Sequence, residues 1–311
     1  MRYLVTGGAG FLGTNLCLRL LGDGHEVVAV DDLSTAFGPN VELLSKKRGF
    51  RLVKHDIVGP LPELGRFDFI YNLACPASPS RYQKDPVQTF RTSAWGVWNV
   101  LKYAEKGRTP VFQASTSEIY GDPLESPQNE DYRGNVSPVG PRACYDEGKR
   151  AAEALIMDWR RKTGHPVKIA RIFNTYGPHM DPEDGRVVSN FIMQALRGKP
   201  LTIYGSGRQT RSFCYVDDMI EGFVRLEKSP ERFTGPVNLG NPDERTLLEL
   251  ADTLGRVLGR QVEKTLVALP EDDPKRRKPD IALAKKELGW EPKVGLAEGL
   301  KRSAEYFRVF A

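Results

Sequence analysis

The chain has 311 residues, with 45 Lys and Arg against 40 Asp and Glu, a formal net charge of +5, and 40% hydrophobic and 27% charged residues. That balance excludes a disordered or fibrous chain, and no apolar run is long enough for a membrane-spanning helix. The positive excess falls short of a nucleic-acid footprint and suits a small anionic ligand. Cys17, Cys75, Cys144 and Cys214 lie far apart with no CxxC pair and no His at ligand spacing. Neither a disulfide framework nor a metal site is therefore expected. With Met1-Arg2 leading directly into the first strand, a cytoplasmic location without membrane contact is expected.

In chain order, residues 3–5 read as a buried strand, 7–13 as a Gly-rich turn, 11–21 as a helix with Leu12, Leu16 and Leu20 on one face, and 26–30 as a second strand. Strands follow at 50–53 and 67–71, a helix at 86–104, a strand at 111–114, a long helix at 145–162 and a strand at 167–171. This alternation predicts an α/β fold with a doubly wound, parallel Rossmann-type sheet. Beyond residue 175, Pro- and Gly-rich loops at 176–186, 196–211 and 238–245 surround helix-like segments at 186–197, 246–258 and 296–307 and a short strand at 200–204. Residues 213–226 are expected to return to the first domain. The expected division is 1–175 with 212–240, and a smaller discontinuous domain of 176–211 with 241–311.

The turn Thr6-Gly7-Gly8-Ala9-Gly10-Phe11-Leu12-Gly13 follows a strand and opens a helix. Gly7, Gly10 and Gly13 permit a tight turn, close backbone approach to a pyrophosphate and close helix packing, while Phe11 and Leu12 offer N–H groups at the helix N-terminus. As a purely structural feature the same glycines would only make a turn. Asp31 and Asp32 close the second strand, where a carboxylate accepts ribose hydroxyls and repels a 2′-phosphate. With no Arg between residues 20 and 47, the expected cofactor is NAD rather than NADP. His55-Asp56-Ile57, after the third strand, could bracket an adenine between a carboxylate and an apolar edge.

Tyr145 and Lys149 are spaced i, i+4, so on a helix they share a face. An ammonium beside a phenol favours phenolate and is expected to lower the Tyr145 pKa, making it a general base for a sugar or alcohol hydroxyl. The pair alone is a weak signal; with the Gly-rich turn and Ser115-Thr116-Ser117-Glu118 at a strand end it becomes a strong one.

On these motifs the sequence resembles the extended short-chain dehydrogenase/reductases acting on nucleotide sugars, and within them the UDP-glucuronate decarboxylases. The resemblance covers almost the whole chain. It is carried by residues 74–79, 115–123, 140–150, 170–178, 184–190, 209–211 and 277–280. It implies that NAD oxidises sugar carbon 4, with Tyr145 taking the proton. The carboxylate on carbon 5 then belongs to a β-keto acid, loses CO2, and the ketone is reduced again to give UDP-xylose. The catalytic set implied is Tyr145, Lys149, Glu118, Thr116, Ser117 and Arg277. Glu118 would handle a proton or position the ring, Thr116 and Ser117 would hydrogen-bond the sugar, and Arg277 would donate a proton or meet the carboxylate. Because Arg is a poor acid, Arg277 could instead orient a water. Leu73 and Ala74 join the cofactor residues. Related 4,6-dehydratases carry Asp-Glu where Ser117-Glu118 stand here, and 4-epimerases usually lack the acid. The alternatives are such an epimerase or dehydratase, or a non-catalytic NAD-sensing protein on the same scaffold.

For the UDP-sugar, Arg142, Arg186, Arg211 and Arg277 are candidates for diphosphate and carboxylate oxygens, Asn174 for sugar or phosphate, Tyr204 for the base and Tyr82 for the sugar carboxylate. The run Lys275-Arg276-Arg277-Lys278 follows Glu271-Asp272-Asp273 and is locally almost balanced, which argues against nucleic acid. Val87, Phe90, Ala94, Val97, Trp98 and Leu101, with Ala151, Leu155, Ile156 and Trp159, exceed what one sheet face needs. The family resemblance implies a homodimer through the 86–104 and 145–162 helices. Two departures stand out: Ala36-Phe37-Gly38-Pro39 replaces a loop that in relatives begins Thr-Gly and carries a basic residue, and His179 stands where Arg commonly follows Gly-Pro.

Overall fold

The computed structural model describes residues 1–268 and 277–311. Glu271, Asp272, Asp273, Lys275 and Arg276 of the charged runs lie outside the described residues. The first half of the chain runs β1 (Arg2–Thr6), α1 (Phe11–Gly22), β2 (Glu26–Asp31), α2 (Gly38–Ser45), β3 (Phe50–Lys54), β4 (Phe69–Asn72), α3 (Pro79–Tyr82) and α4 (Pro86–Arg91). A π turn (Thr92–Gly96) leads into α5 (Val97–Glu105), followed by β5 (Val111–Thr116), a 3-10 turn (Ser117–Tyr120), α6 (Ala143–Thr163) and β6 (Val167–Ile172). Then come β7 (Thr175–Tyr176), α7 (Val187–Leu196), β8 (Leu201–Tyr204), β9 (Thr210–Ser212), β10 (Cys214–Tyr215) and α8 (Val216–Lys228). The chain closes with β11 (Val237–Leu239), β12 (Glu244–Thr246), α9 (Leu247–Leu258), β13 (Lys264–Val267), α10 (Ala282–Leu288) and α11 (Leu296–Phe307).

Seven strands form one parallel sheet in the order β11-β6-β5-β4-β1-β2-β3. The order reverses at β1/β4, where doubly wound sheets bind ligands beyond their strand ends. Alternate residues of each strand feed opposite faces. Tyr3 and Val5 join Leu16, Leu20, Tyr71, Phe112 and Phe223 on one side, and Leu4 joins Val28, Ile70, Val100, Ile156 and Ile169 on the other. With apolar residues on both faces, such strands are stable only between two helical layers. The expected Rossmann-type architecture is the one found.

Several expectations need correction. The helix expected at 86–104 is three segments, α4, the π turn and α5. Gly96 lies so close to Ile57 that a Cβ would sit 2.6 Å from its Cδ1, and a Cβ on Gly148 of α6 would sit 3.0 Å from that of Ser93. These contacts are tertiary and leave no mark on helical periodicity. The loop read at 238–245 begins in β11, which extends the central sheet beside β6, and ends in β12. Beyond the large sheet, β7 pairs with β10, β9 with β12 and β8 with β13. No described helix is long and apolar enough to cross a membrane.

The apolar stripe on the 86–104 and 145–162 segments divides. Val97, Val100, Leu101, Ile156 and Trp159 are buried in this chain's own core, whereas Val87, Trp95 and Trp98 stand exposed.

Candidate active site

A cleft of about 410 Å³ opens beyond the C-terminal ends of the central strands. Every candidate cofactor, catalytic and substrate residue named from the sequence lines it except Tyr82. At one end lies the Gly-rich turn. Gly7 has φ +68°, and a Cβ there would sit 2.7 Å from the Ala74 nitrogen, while a Cβ on Gly13 would sit 2.0 Å from the Gly7 carbonyl oxygen. The turn thus brings β1 and the 73–74 backbone together as no larger residue could. Helix α1 has Gly10 at its N-cap, with no side-chain cap and no acid in its first turn. Its first N–H groups at Phe11, Leu12 and Gly13 are a fit for an anion such as a dinucleotide's pyrophosphate.

Asp31 ends β2, its Oδ2 accepting from the Ala9 N–H at 3.0 Å and its Oδ1 from the Leu33 N–H at 2.9 Å. Burial raises its pKa despite these bonds. Asp32 accepts from the Ser34 N–H and hydroxyl at 2.9 and 2.7 Å. Each carboxylate oxygen can accept a second bond, so both acids remain compatible with ribose hydroxyls. Asp56 accepts from Gln88 Nε2 at 2.8 Å beside the buried Ile57, and Leu73 and Ala74 follow β4 on the same wall.

Phe37 and His179, which line the cleft on this side, are backed by Tyr306 and Phe310. Phe37 meets Phe310 edge-on at 5.2 Å, Tyr306 meets Phe310 at 5.4 Å and His179 at 5.1 Å. Asn40 Nδ2 donates to the His179 carbonyl at 2.8 Å. The two departures noted in the sequence therefore lie in one cluster.

The centre of the cleft holds Thr116, Ser117, Glu118, Tyr145 and Lys149. Strand β5 delivers Thr116 and the 3-10 turn swings Glu118 inward, with the Thr116 hydroxyl accepting from the Glu118 N–H at 3.2 Å. Helix α6 presents Tyr145 and Lys149 on one face, the Lys149 ammonium 5.8 Å from the Tyr145 ring centroid and donating to the Ala114 carbonyl at 2.9 Å. The expected lowering of the Tyr145 pKa is not found. Burial, then the charges of Cys75 and Glu118, push the phenol well above its ordinary value, and a hydrogen bond with Thr116 and the charge of Arg186 only partly oppose them. Burial lowers Lys149 as well, because a site this dry penalises both ions.

Arg142 and Arg277 converge on Glu118. Arg142 Nη2 donates to Glu118 Oε2 at 2.6 Å, and Arg277 Nη2 donates to the same oxygen. Burial alone would raise the Glu118 carboxyl, but the two guanidiniums outweigh it and hold the carboxyl below its usual range. Glu118 is thus a carboxylate at neutral pH. Asp146 is the acid that the sequence reading missed. It is buried beside Tyr145, 3.9 Å from Arg142 Nε, with its carboxyl pushed up to about 7 by burial and by Glu118. Its position next to Tyr145 in a helical run was the signal available.

Tyr82 corrects another expectation. It lies behind the lining, 1% exposed, its ring flat against that of Tyr145, and its hydroxyl has no hydrogen-bond partner among the described residues. At the far end, Arg186 is paired with Asp184 at 2.5 and 3.0 Å, Arg211 donates to the Thr210 carbonyl at 2.8 Å, and Asn174 and the half-exposed Tyr204 complete the wall. Arg81 and Asp181, an ion pair at 2.5 Å, also line it and were missed.

The family model described as the NAD dependent epimerase/dehydratase family matches residues 3–240. The chain belongs to that family. Among epimerase/dehydratase relatives, UDP-glucuronic acid decarboxylase 6 of Arabidopsis thaliana is 51% identical over 310 residues, covering 99% of this chain and 89% of that one. UDP-glucuronic acid decarboxylase 1 of Xenopus tropicalis is 49% identical over 99% of this chain and 72% of its own length. Of solved family structures, the UDP-glucose 4-epimerase of Thermotoga maritima with UDP-glucose superposes with a TM-score of 0.90 at 28% identity, covering 100% of this chain and 99% of that one. The UDP-glucuronic acid 4-epimerase of Bacillus cereus, in complex with UDP-glucuronic acid and NAD, gives 0.88 at 28% identity with both chains fully covered.

Proposed function

We propose that this protein is an NAD-dependent UDP-glucuronate decarboxylase, converting UDP-glucuronate to UDP-xylose and CO2. The observation that carries the reading is Glu118, held as a carboxylate between Arg142 and Arg277 in the same cleft as Tyr145. It is supported by relatives of about half identity over nearly the whole chain that bear the decarboxylase name.

In this reading residues 1–175 and 212–240 form the NAD domain. Gly7, Gly10, Phe11, Leu12 and Gly13 hold the pyrophosphate, Asp31 and Asp32 the ribose, and Asp56, Ile57, Leu73 and Ala74 the adenine side. Residues 176–211 and 241–311 hold the nucleotide sugar, with Asn174, Arg186, Tyr204 and Arg211 on its diphosphate and base. Bound NAD supplies the hydride acceptor and later donor for carbon 4, and a positive charge near the phenol. Tyr145 takes the proton of the carbon-4 hydroxyl, its oxygen oriented by Thr116. That charge opposes the rise in pKa that burial imposes, and Lys149 fixes the ring's surroundings through Ala114.

With carbon 4 a ketone, the carbon–carboxylate bond breaks as its electron pair enters the enolate and CO2 departs. Arg277, as a fixed cation, meets the substrate carboxylate and orders the water that protonates carbon 5. An ionised Glu118 accepts hydrogen bonds and positions the ring rather than delivering a proton. Ser117 bonds a sugar hydroxyl.

The exposed Val87, Trp95 and Trp98 support a homodimer through the 86–104 and 145–162 segments. Four unpaired cysteines suit a reducing, cytoplasmic setting.

The test is incubation with UDP-glucuronate, following CO2 release and product mass. Loss of CO2 with formation of a UDP-pentose supports the reading. The likeness to UDP-glucuronic acid 4-epimerase favours a second reading, under which the product keeps its carboxylate and the substrate mass.

A further inference from the structure

Arg277 reaches Glu118 through one terminal nitrogen. Its buried Nε has no hydrogen-bond partner among the described residues. A long side chain tied at one point owes its aim to the backbone that carries it, since its several rotors are otherwise loosely fixed. That backbone is gripped by Gln128, far away in sequence.

Gln128, 1% exposed, forms a parallel bridge with Pro279. Its N–H donates to the Lys278 carbonyl at 2.8 Å, and its carbonyl accepts from the Asp280 N–H at 2.8 Å. Its side-chain oxygen accepts from the Lys278 N–H at 2.9 Å while its side-chain nitrogen donates to the Glu125 carbonyl at 2.6 Å. A side-chain amide accepts at its oxygen and donates at its nitrogen, and Gln128 uses both ends. Asn238, wholly buried, locks the joint from β11 by donating to the carbonyls of Gln128 and Asp280 at 3.0 and 3.1 Å.

The geometry points to Gln128 as a positioning residue for decarboxylation, its side-chain amide tying the Lys278 N–H to the Glu125 carbonyl beside the main-chain bridge so that Arg277 stays aimed at Glu118. This rests on the role given to Arg277 above. Gln128 touches neither cleft nor ligand, and its effect passes through Arg277.

The test compares Gln128→Met, which keeps the shape and the main-chain bridge and loses the two side-chain bonds, with Arg277→Ala and with the double variant. NAD and UDP-glucuronate binding serve as controls for folding. Gln128→Met is expected to bind both ligands as the parent does and to release CO2 about 10- to 100-fold more slowly, with the fall in kcat rather than KM. The double variant is expected to be no slower than Arg277→Ala alone, a non-additivity that general destabilisation would not produce. Multiplied losses in the double variant, or unchanged turnover by Gln128→Met while Arg277→Ala stalls, would overturn the inference and leave the role of Arg277 standing. Parent-like turnover by Arg277→Ala would overturn both. Should Gln128→Met fail to fold, Gln128→Asn, too short to span from the Lys278 N–H to the Glu125 carbonyl, carries the same expectations.

Discussion

The ring of Tyr82 lies on the ring of Tyr145 with centroids 5.0 Å apart and planes 4° from parallel. The stack fixes the face that Tyr145 turns to the cleft, and the Tyr82 hydroxyl contributes no bond to it. Tyr82→Phe should leave KM and kcat unchanged and stability equal or higher by about 1 kcal/mol. Tyr82→Ala should cost about 3–5 kcal/mol in denaturant unfolding and slow turnover. A raised KM for UDP-glucuronate in Tyr82→Phe would restore Tyr82 as a substrate contact.

Tyr145→Phe keeps the stack and removes the proton acceptor. Turnover should fall by about 10²- to 10⁴-fold while UDP-glucuronate binding persists, measured by calorimetry beside the CO2 assay. Parent-like rates would remove Tyr145 from the chemistry.

Asp31→Ala removes acceptors for the Ala9 and Leu33 N–H groups as well as the charge facing the ribose. NAD affinity should drop by about 1–3 kcal/mol, and the preference over NADP should narrow. An unaltered ratio of the two dissociation constants would count against the ribose contact.

Asp146 makes stability depend on pH with a definite sign. Its carboxyl is pushed up to about 7 by burial first and Glu118 second, with Arg142 and Arg277 opposing. Between about pH 4, the unfolded value, and pH 7 the folded chain keeps a proton that the unfolded chain has lost. This group's contribution therefore falls as pH rises through that window and is flat above it. Asp146→Asn should abolish the fall, gaining about 1–3 kcal/mol relative to the parent at pH 8 compared with pH 5. Urea unfolding at the two pH values reads it directly, and parallel shifts in both proteins would refute it.

Trp95, 55% exposed on the π turn, tests the dimer. Trp95→Lys should shift sedimentation toward monomer without altering the far-UV spectrum. An unchanged sedimentation profile would point to a different interface.

The parallel sheet was legible because its long strands carry apolar residues for both faces and are separated by amphipathic helices. Val237–Leu239 was not: three residues carry no periodicity, and it is a strand only because β6 lies beside it. In the cleft, the Gly7–Gly13 turn and the Tyr145/Lys149 spacing are local facts, visible in the chain itself. The convergence of Arg142 and Arg277 on Glu118 joins residues 24 and 159 positions from it, and such pairing is invisible before folding. The ammonium's influence on Tyr145 was misjudged for the same reason, since proximity can be read from spacing but dryness cannot.

The cluster of Phe37, His179, Tyr306 and Phe310 sets residues 306–310 behind Phe37 and His179, two side chains that line the cleft. A purification handle or fluorescent fusion joined behind residue 311 would sit next to that backing. How much cofactor such a preparation retained would then report on the graft as much as on the enzyme.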